Sequence, residues 1–164
     1  MNAGLIAGST PTGFGVELQA GGSVTNVAGG TIASARGAIY VRNGGYVTNA
    51  ATGTIDGLTE ILDAPGTVFN TGLMNTGLTG ALGIYLNSGG SVANAAGATI
   101  GNGVKIGVGN GGATGSVTNS GSINSASYGV ALGIGEVDNL ATGHIIASSF
   151  GIGGRIRAVH SAAR

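Results

Sequence analysis

Residues 89–100 read Gly-Gly-Ser-Val-Ala-Asn-Ala-Ala-Gly-Ala-Thr-Ile, and this phrase returns along the chain in degenerate form. Its most regular part is the tripeptide Val-x-Asn, which occurs six times at steps of 20 to 25 residues, with a mean of about 23. The asparagines of the six copies are Asn26, Asn49, Asn70, Asn94, Asn119 and Asn139. Self-similarity at this period indicates a stack of repeated supersecondary units and not a globular domain with one central core.

Each repeat holds three short apolar pieces separated by turn residues. The first is Val-x-Asn, and the second is one large apolar residue four or six positions after the Asn, as at Ile32 and Ile100. The third is a glycine followed by alternating apolar residues, as in residues 37–41 and 83–86. Period-two alternation bounded by Gly, Asn and Ser predicts short half-buried strands, and the recurrent glycine disfavours helix.

We therefore predict an all-β fold, a right-handed parallel β-helix (β-solenoid) with three short strands per coil, about 23 residues per coil and six to seven coils. The right hand is predicted because parallel crossovers overwhelmingly take it. Residues 1–12 are predicted as an N-terminal segment or cap, 13–149 as the β-solenoid repeat domain, and 150–164 as a basic C-terminal tail or cap. The second repeat is the poorest, and we expect a solvated irregular loop at residues 60–65.

The regular asparagines are predicted to form a structural ladder. Asn at a strand end tolerates the left-handed backbone of a sharp corner. In register, its amide can also donate to the side-chain oxygen of the Asn in the next coil.

The composition narrows the classes of function. Of 164 residues 36 are glycine, only 7% are charged, and the net charge is zero. This balance does not fit disorder, and it gives no long-range steering toward nucleic acid, so no nucleic-acid partner is predicted. Without repulsion between copies, the chain is prone to associate with itself. No cysteine is present, which excludes disulfides and thiolate metal sites.

The sequence contains no apolar run of 18 residues, so no transmembrane helix is predicted. The first twelve residues lack the pattern of a secretory signal, and we expect the chain to be a fragment. We predict no cofactor, no metal site and no catalytic residue.

The third strand of each repeat offers a candidate binding face. If its apolar residues point inward, Glu17, Tyr40, Tyr85 and Lys105 point outward in one column. Arg42 and Asn87 belong to a neighbouring column. Aromatic residues beside isolated charges are favoured at interfaces. An ordinary solvated face with occasional aromatics explains the same pattern.

The densest acidic group is Asp56, Glu60 and Asp63. Carboxylates on one face of a β-helix can bind calcium or act as acid and base. The chain has one lysine and no tryptophan, so the basic and aromatic residues of a polysaccharide-active site are sparse.

Residues 21–26, 89–94 and 115–123 resemble the degenerate repeats of autotransporter passenger domains and related large bacterial adhesins. The resemblance covers residues 13–153. It implies a non-enzymatic structural or adhesive β-helix displayed outside a Gram-negative cell, with a covalent link to a C-terminal outer-membrane β-barrel. The expected partners are a host or cell-surface glycan or protein, or further copies of the chain associated end to end or side by side.

Two alternatives stay open. One is a self-assembling fibre subunit that stacks end to end, because the terminal coils of a solenoid expose unpaired strand edges. The other, a polysaccharide-active β-helix enzyme, is less favoured because charged residues are sparse.

Overall fold

The computed structural model describes residues 1–9, 13–75, 82–109 and 112–161. These ranges contain strands and turns but no helix, and therefore no helix long and apolar enough to cross a membrane. The strands are β1 (Leu5–Ala7), β2 (Phe14–Leu18), β3 (Ser23–Asn26), β4 (Thr31–Ala33), β5 (Gly37–Val41), β6 (Gly45–Asn49), β7 (Thr54–Asp56), β8 (Thr59–Ile61), β9 (Gly66–Asn70), β10 (Leu73–Asn75), β11 (Ile84–Leu86), β12 (Gly90–Asn94), β13 (Thr99–Gly101), β14 (Val104–Ile106), β15 (Thr114–Asn119), β16 (Ser122–Ser125), β17 (Tyr128–Asn139), β18 (His144–Ala147) and β19 (Phe150–Ser161).

The strands stack in parallel on three faces. Face 1 contains β1, β4, β7, β10, β13, β16 and β18 in that order. Face 2 contains β2, β5, β8, β11, β14 and the first part of β17, and face 3 contains β3, β6, β9, β12, β15 and the last part of β17. The predicted parallel β-solenoid, with about 23 residues per coil, is confirmed, and it makes about six turns.

The core is a set of columns in which each coil contributes equivalent side chains. The face 1 column is Ile32, Ile55, Met74, Ile100 and Ile123, all 0 or 1% exposed. The six Val residues of Val-x-Asn form the face 3 column from Val24 to Val137. Full burial of each such side chain contributes about 1.5–3 kcal/mol. Because each coil packs mainly on its neighbours, these contributions repeat along the stack.

The expectation of an irregular loop at residues 60–65 was wrong for its first two residues. Glu60 and Ile61 belong to β8, which pairs in parallel with β5 and β11. The side chains of this strand alternate between the inside and the outside of the solenoid, since Thr59 and Ile61 are buried while Glu60 is half-buried. One inward residue on each side of a single outward residue therefore suffices to continue face 2.

Both end segments contribute strands to the stack. β1 lies within residues 1–12 and pairs with β4. β19 lies within residues 150–164 and runs parallel to β17, with register shifts between Leu132 and Ile134 and between Gly135 and Glu136.

The corner role predicted for the repeated asparagines was wrong. The left-handed backbone is taken by glycines and by Asn43, Thr52, Asp63 and Asn102. The ladder asparagines instead end extended strands, as Asn70 ends β9 and Asn94 ends β12.

Candidate functional site

The six repeated asparagines lie in one continuous hydrogen-bonded column. The Nδ2 of Asn26 donates to Oδ1 of Asn49 at 2.9 Å, and the same bond, at 2.8 or 2.9 Å, recurs at each following step. Each amide also donates to a backbone carbonyl two or four residues further on, as Asn49 does to Gly53 at 3.1 Å. The column thus ties every coil to the next.

A seventh member, Asn2, precedes the six. Its Nδ2 donates to Oδ1 of Asn26 at 2.9 Å. Sequence reasoning missed Asn2 because no Val-x-Asn surrounds it, although its separation of 24 residues from Asn26 matches the repeat. Because the inner asparagines are almost fully buried and fully bonded, the ladder is structural and has no free group for a ligand.

The outward residues of face 2 form a second column, on the solvent side. Strand register places Glu17 beside Tyr40, Tyr40 beside Glu60, Glu60 beside Tyr85, and Tyr85 beside Lys105. The sequence prediction contained four of these five residues and omitted Glu60, which had been placed in a loop. The alternation Thr59-x-Ile61 was the signal that could have located it.

Neighbouring side chains hold the aromatic residues of this column in place. The ring of Tyr40 stacks on Phe14 at 4.6 Å between centroids, and the guanidinium of Arg36 lies 4.6 Å from the Phe14 ring. The ammonium of Lys105 lies 5.2 Å from the ring of Tyr85. These stacking and cation–π contacts restrict the rotamers of half-buried aromatic side chains.

The predicted neighbouring column is bonded to the first. The Nε of Arg42 donates to the Tyr40 hydroxyl at 3.1 Å and lies 3.5 Å from a carboxylate oxygen of Asp63. The hydroxyl of Tyr85 donates to Oδ1 of Asn87 at 2.7 Å. The structure therefore places all six residues of the predicted outward face on one side of the solenoid, and it adds Glu60 between Tyr40 and Tyr85.

The titrating groups of this face influence one another. Partial burial raises the pKa of Glu60, and the positive charge of Arg36 opposes that rise. Partial burial, with a smaller contribution from the charge of Glu60, raises the pKa of Tyr85. The hydrogen bond to Tyr40, followed by the charges of Tyr40 and Asp63, raises the pKa of Arg42.

The three acidic residues considered for catalysis or calcium binding belong to different elements. Asp56 ends β7 on face 1, Glu60 points outward from β8 on face 2, and Asp63 lies in the turn after β8, paired with Arg42. Across the ranges that the structure describes, no three His, Cys, Asp or Glu side chains are placed to hold a metal ion together.

Comparison of the chain with protein-family models, with curated proteins and with solved structures found no match. The β-solenoid itself is compatible with a β-helix repeat protein.

Proposed function

We propose that this chain is a non-enzymatic structural and adhesive module, displayed outside a bacterial cell, which binds a host or cell-surface glycan or protein through the outward column of face 2. The observation that carries the proposal is the column itself: Glu17, Tyr40, Glu60, Tyr85 and Lys105 follow one another on five successive strands. Successive strands lie about 4.8 Å apart, so the column presents charged and aromatic groups at a fixed, short repeat.

The rigidity of this column supports binding by many weak contacts. Tyr40 is held by Phe14 and Arg42, and Tyr85 by Lys105 and Asn87. Side chains that are already ordered lose less conformational entropy when a partner binds. Tyrosine is also enriched at interfaces because it combines a large apolar ring with a polar hydroxyl.

Placement outside the cell follows the resemblance of residues 21–26, 89–94 and 115–123 to passenger-domain repeats. The lack of cysteine suits a protein that crosses an envelope unfolded, because no disulfide can form on the way.

The proposal is tested with purified chain applied to arrays of immobilised host glycans and surface proteins. We expect the wild-type chain to bind a ligand that the double variant Tyr40→Ala/Tyr85→Ala binds at least about tenfold more weakly, as expected for loss of two interface aromatics. Tyr46→Ala is the matched control, since Tyr46 is a tyrosine 63% exposed on face 3. Equal loss in the control, or undiminished binding by the double variant, would contradict a binding role for face 2.

A second candidate function is self-assembly by end-to-end stacking. The core columns of the terminal coils are only partly covered: Ile6, Val16 and Leu18 at one end and Ile145, Ile152 and Ile156 at the other are partly buried. A second copy stacked in parallel would bury these side chains and pair the free edges of the terminal strands. Negative-stain microscopy separates the candidates, because assembly gives long uniform fibres and a display module gives short discrete rods.

A further inference from the structure

The outward column of face 2 loses its long side chains in the last coils. Lys105 is followed in register by Ala131 on β17, and Ala131 by Gly153 on β19. The ring of Tyr128 lies over this position, because a Cβ on Gly153 would be 3.4 Å from Cδ1 of that ring. At these two positions face 2 therefore has no long outward side chain of its own, whereas the preceding coils carry Tyr and Lys there.

Two adjoining depressions occupy this place, with volumes of about 570 and 500 Å³. They share Val108, Leu132 and Gly154, so they form one continuous groove, which we name the lysine–arginine groove. Tyr128 forms one wall, and its ring is held by stacking on Phe150 at 5.3 Å between centroids. Each volume lies in the range of small-molecule sites, which are mostly apolar with a few convergent polar groups.

The charges at the groove are of one sign. Lys105 lines the first depression and Arg155 the second, and no acidic residue is among the described residues that line either one. Within the described part of the chain, neither cation forms a salt bridge, and the ammonium of Lys105 lies 5.2 Å from the centre of the Tyr85 ring. Two cations without a counter-charge beside apolar walls attract an anion more strongly than cations in open water.

We propose that the lysine–arginine groove binds an amphipathic organic dianion. Its apolar body lies on Ala131 and Gly153 against the Tyr128 ring, and its two carboxylates reach Lys105 and Arg155. The two cations belong to β14 and β19, which are separated by β17, so the axial distance between their strands is about 10 Å. Arg155 also lies two residues beyond Gly153 along β19, which adds about 7 Å in the strand direction. A linear aliphatic dicarboxylate of about eight carbons, together with the reach of the two long side chains, bridges this separation. This site lies beyond the proposed adhesive function and does not depend on it.

Calorimetric titration of the full chain with octanedioate, octanoate and octane-1,8-diol tests the proposal. We expect saturable one-to-one binding that is strongest for the dianion and weakens about two- to fivefold for each charge removed, the range of a partly exposed ion pair. Lys105→Gln and Arg155→Gln should each weaken octanedioate binding by a similar factor. Arg42→Gln, which removes an exposed cation of face 2 outside the groove, should leave it unchanged.

Ala131→Leu fills the groove and should abolish octanedioate binding while circular dichroism and the melting temperature stay near those of the wild type. If this variant does not fold, the glutamine variants of half-buried Lys105 and exposed Arg155 still decide the question. The proposal is overturned if the diol binds as tightly as the dianion, if Arg42→Gln weakens binding as much as Lys105→Gln, or if the wild-type chain shows no saturable binding.

Discussion

The side-chain amide of Asn70 donates a 2.9 Å hydrogen bond to Oδ1 of Asn94, one coil further along the solenoid. The Oδ1 of Asn70 accepts the equivalent bond from Asn49, so the residue is donor to one neighbour and acceptor to the other. Its amide also donates to the backbone carbonyls of Gly72 and Thr99. One side chain therefore joins three successive coils in a site from which water is excluded.

Replacement of this residue should be costly. In Asn70→Leu, Asn94 loses a donor and Asn49 loses an acceptor, and both remain buried. Leaving buried polar groups unpaired costs about 1–3 kcal/mol for each group. We expect a loss of about 3 kcal/mol in the free energy of unfolding, measured by urea denaturation.

Asn124→Leu provides the matched control, because Asn124 is an exposed asparagine of β16 on face 1. It should change stability by less than about 0.5 kcal/mol, as is usual for surface positions. A similar loss in both variants would show that the ladder adds nothing specific.

A buried hydroxyl offers a stabilising substitution. Thr59 is fully buried in the face 2 core column between Ile39 and Ile84, and its Oγ1 has no hydrogen-bond partner. Thr59→Val keeps the shape and removes the unpaired polar atom, so we expect a gain of about 1 kcal/mol. Thermal melting should show a rise for this variant and little change for Thr54→Val, whose side chain is half-exposed on face 1. A lower melting temperature for Thr59→Val would mean that the hydroxyl has a partner after all.

The sequence predicted the fold well because a solenoid repeats the same local solution in each coil. Each Val-x-Asn lies beside the next one in the stack, so the period of about 23 residues alone predicts the stacking of the coils. The sequence did not indicate the places of Asn2 in the ladder and Glu60 in the outward column, because each residue lies in a coil whose local pattern is degenerate. Their places are set by pairing with Asn26 and Tyr40, which are distant in sequence.

The lysine–arginine groove could not be predicted from the sequence, for a different reason. It depends on the absence of side chains at Ala131 and Gly153 and on the placement of β19 beside β17. Small residues carry no periodic signal of their own, and residues 150–164 depart from the repeat.

One column of glycines should resist substitution. At the turn from face 2 to face 3, each coil places a glycine in register with the glycine of the next coil. These glycines are Gly45, Gly66, Gly90, Gly115 and Gly135. Gly90 has φ of 125°, and a Cβ there would overlap the carbonyl oxygen of Gly66. Gly90→Ala should therefore cost more than about 3 kcal/mol, because the backbone contact cannot relax by a side-chain movement.

Gly97→Ala separates this steric effect from backbone strain alone. Gly97 also has a positive φ, of 77°, but a Cβ there meets nothing within 4 Å. We expect a cost of about 1 kcal/mol from the left-handed conformation, measured by the same denaturation. Equal costs at the two positions would show that close approach between coils is unimportant.

The charge of Glu60 should oppose folding at neutral pH. Partial burial raises the pKa of Glu60 above its ordinary value of 4.5, so the carboxyl binds its proton more tightly in the folded chain than in the unfolded chain. This contribution to stability is fully present below pH 4.5 and is lost as the pH rises through the raised pKa. Glu60→Gln stays neutral, and it should exceed the wild type in stability at pH 7, by no more than about 0.5 kcal/mol because solvent screens a half-buried carboxyl.

The same substitution should change the titration of Tyr85. The charge of Glu60 contributes to raising the pKa of Tyr85 above its ordinary value of 10.0, after the larger effect of burial. Glu60→Gln should therefore lower the pKa of Tyr85, measured as tyrosinate absorbance and assigned by the difference from Tyr85→Phe. The contrary result would be that Glu60→Gln leaves the titration of Tyr85 unchanged and is as stable as the wild type at both pH 4 and pH 7. That result would show that the Glu60 carboxylate is fully solvated. In the structure, its place between Tyr40 and Tyr85 prevents that solvation, so we expect both quantities to change.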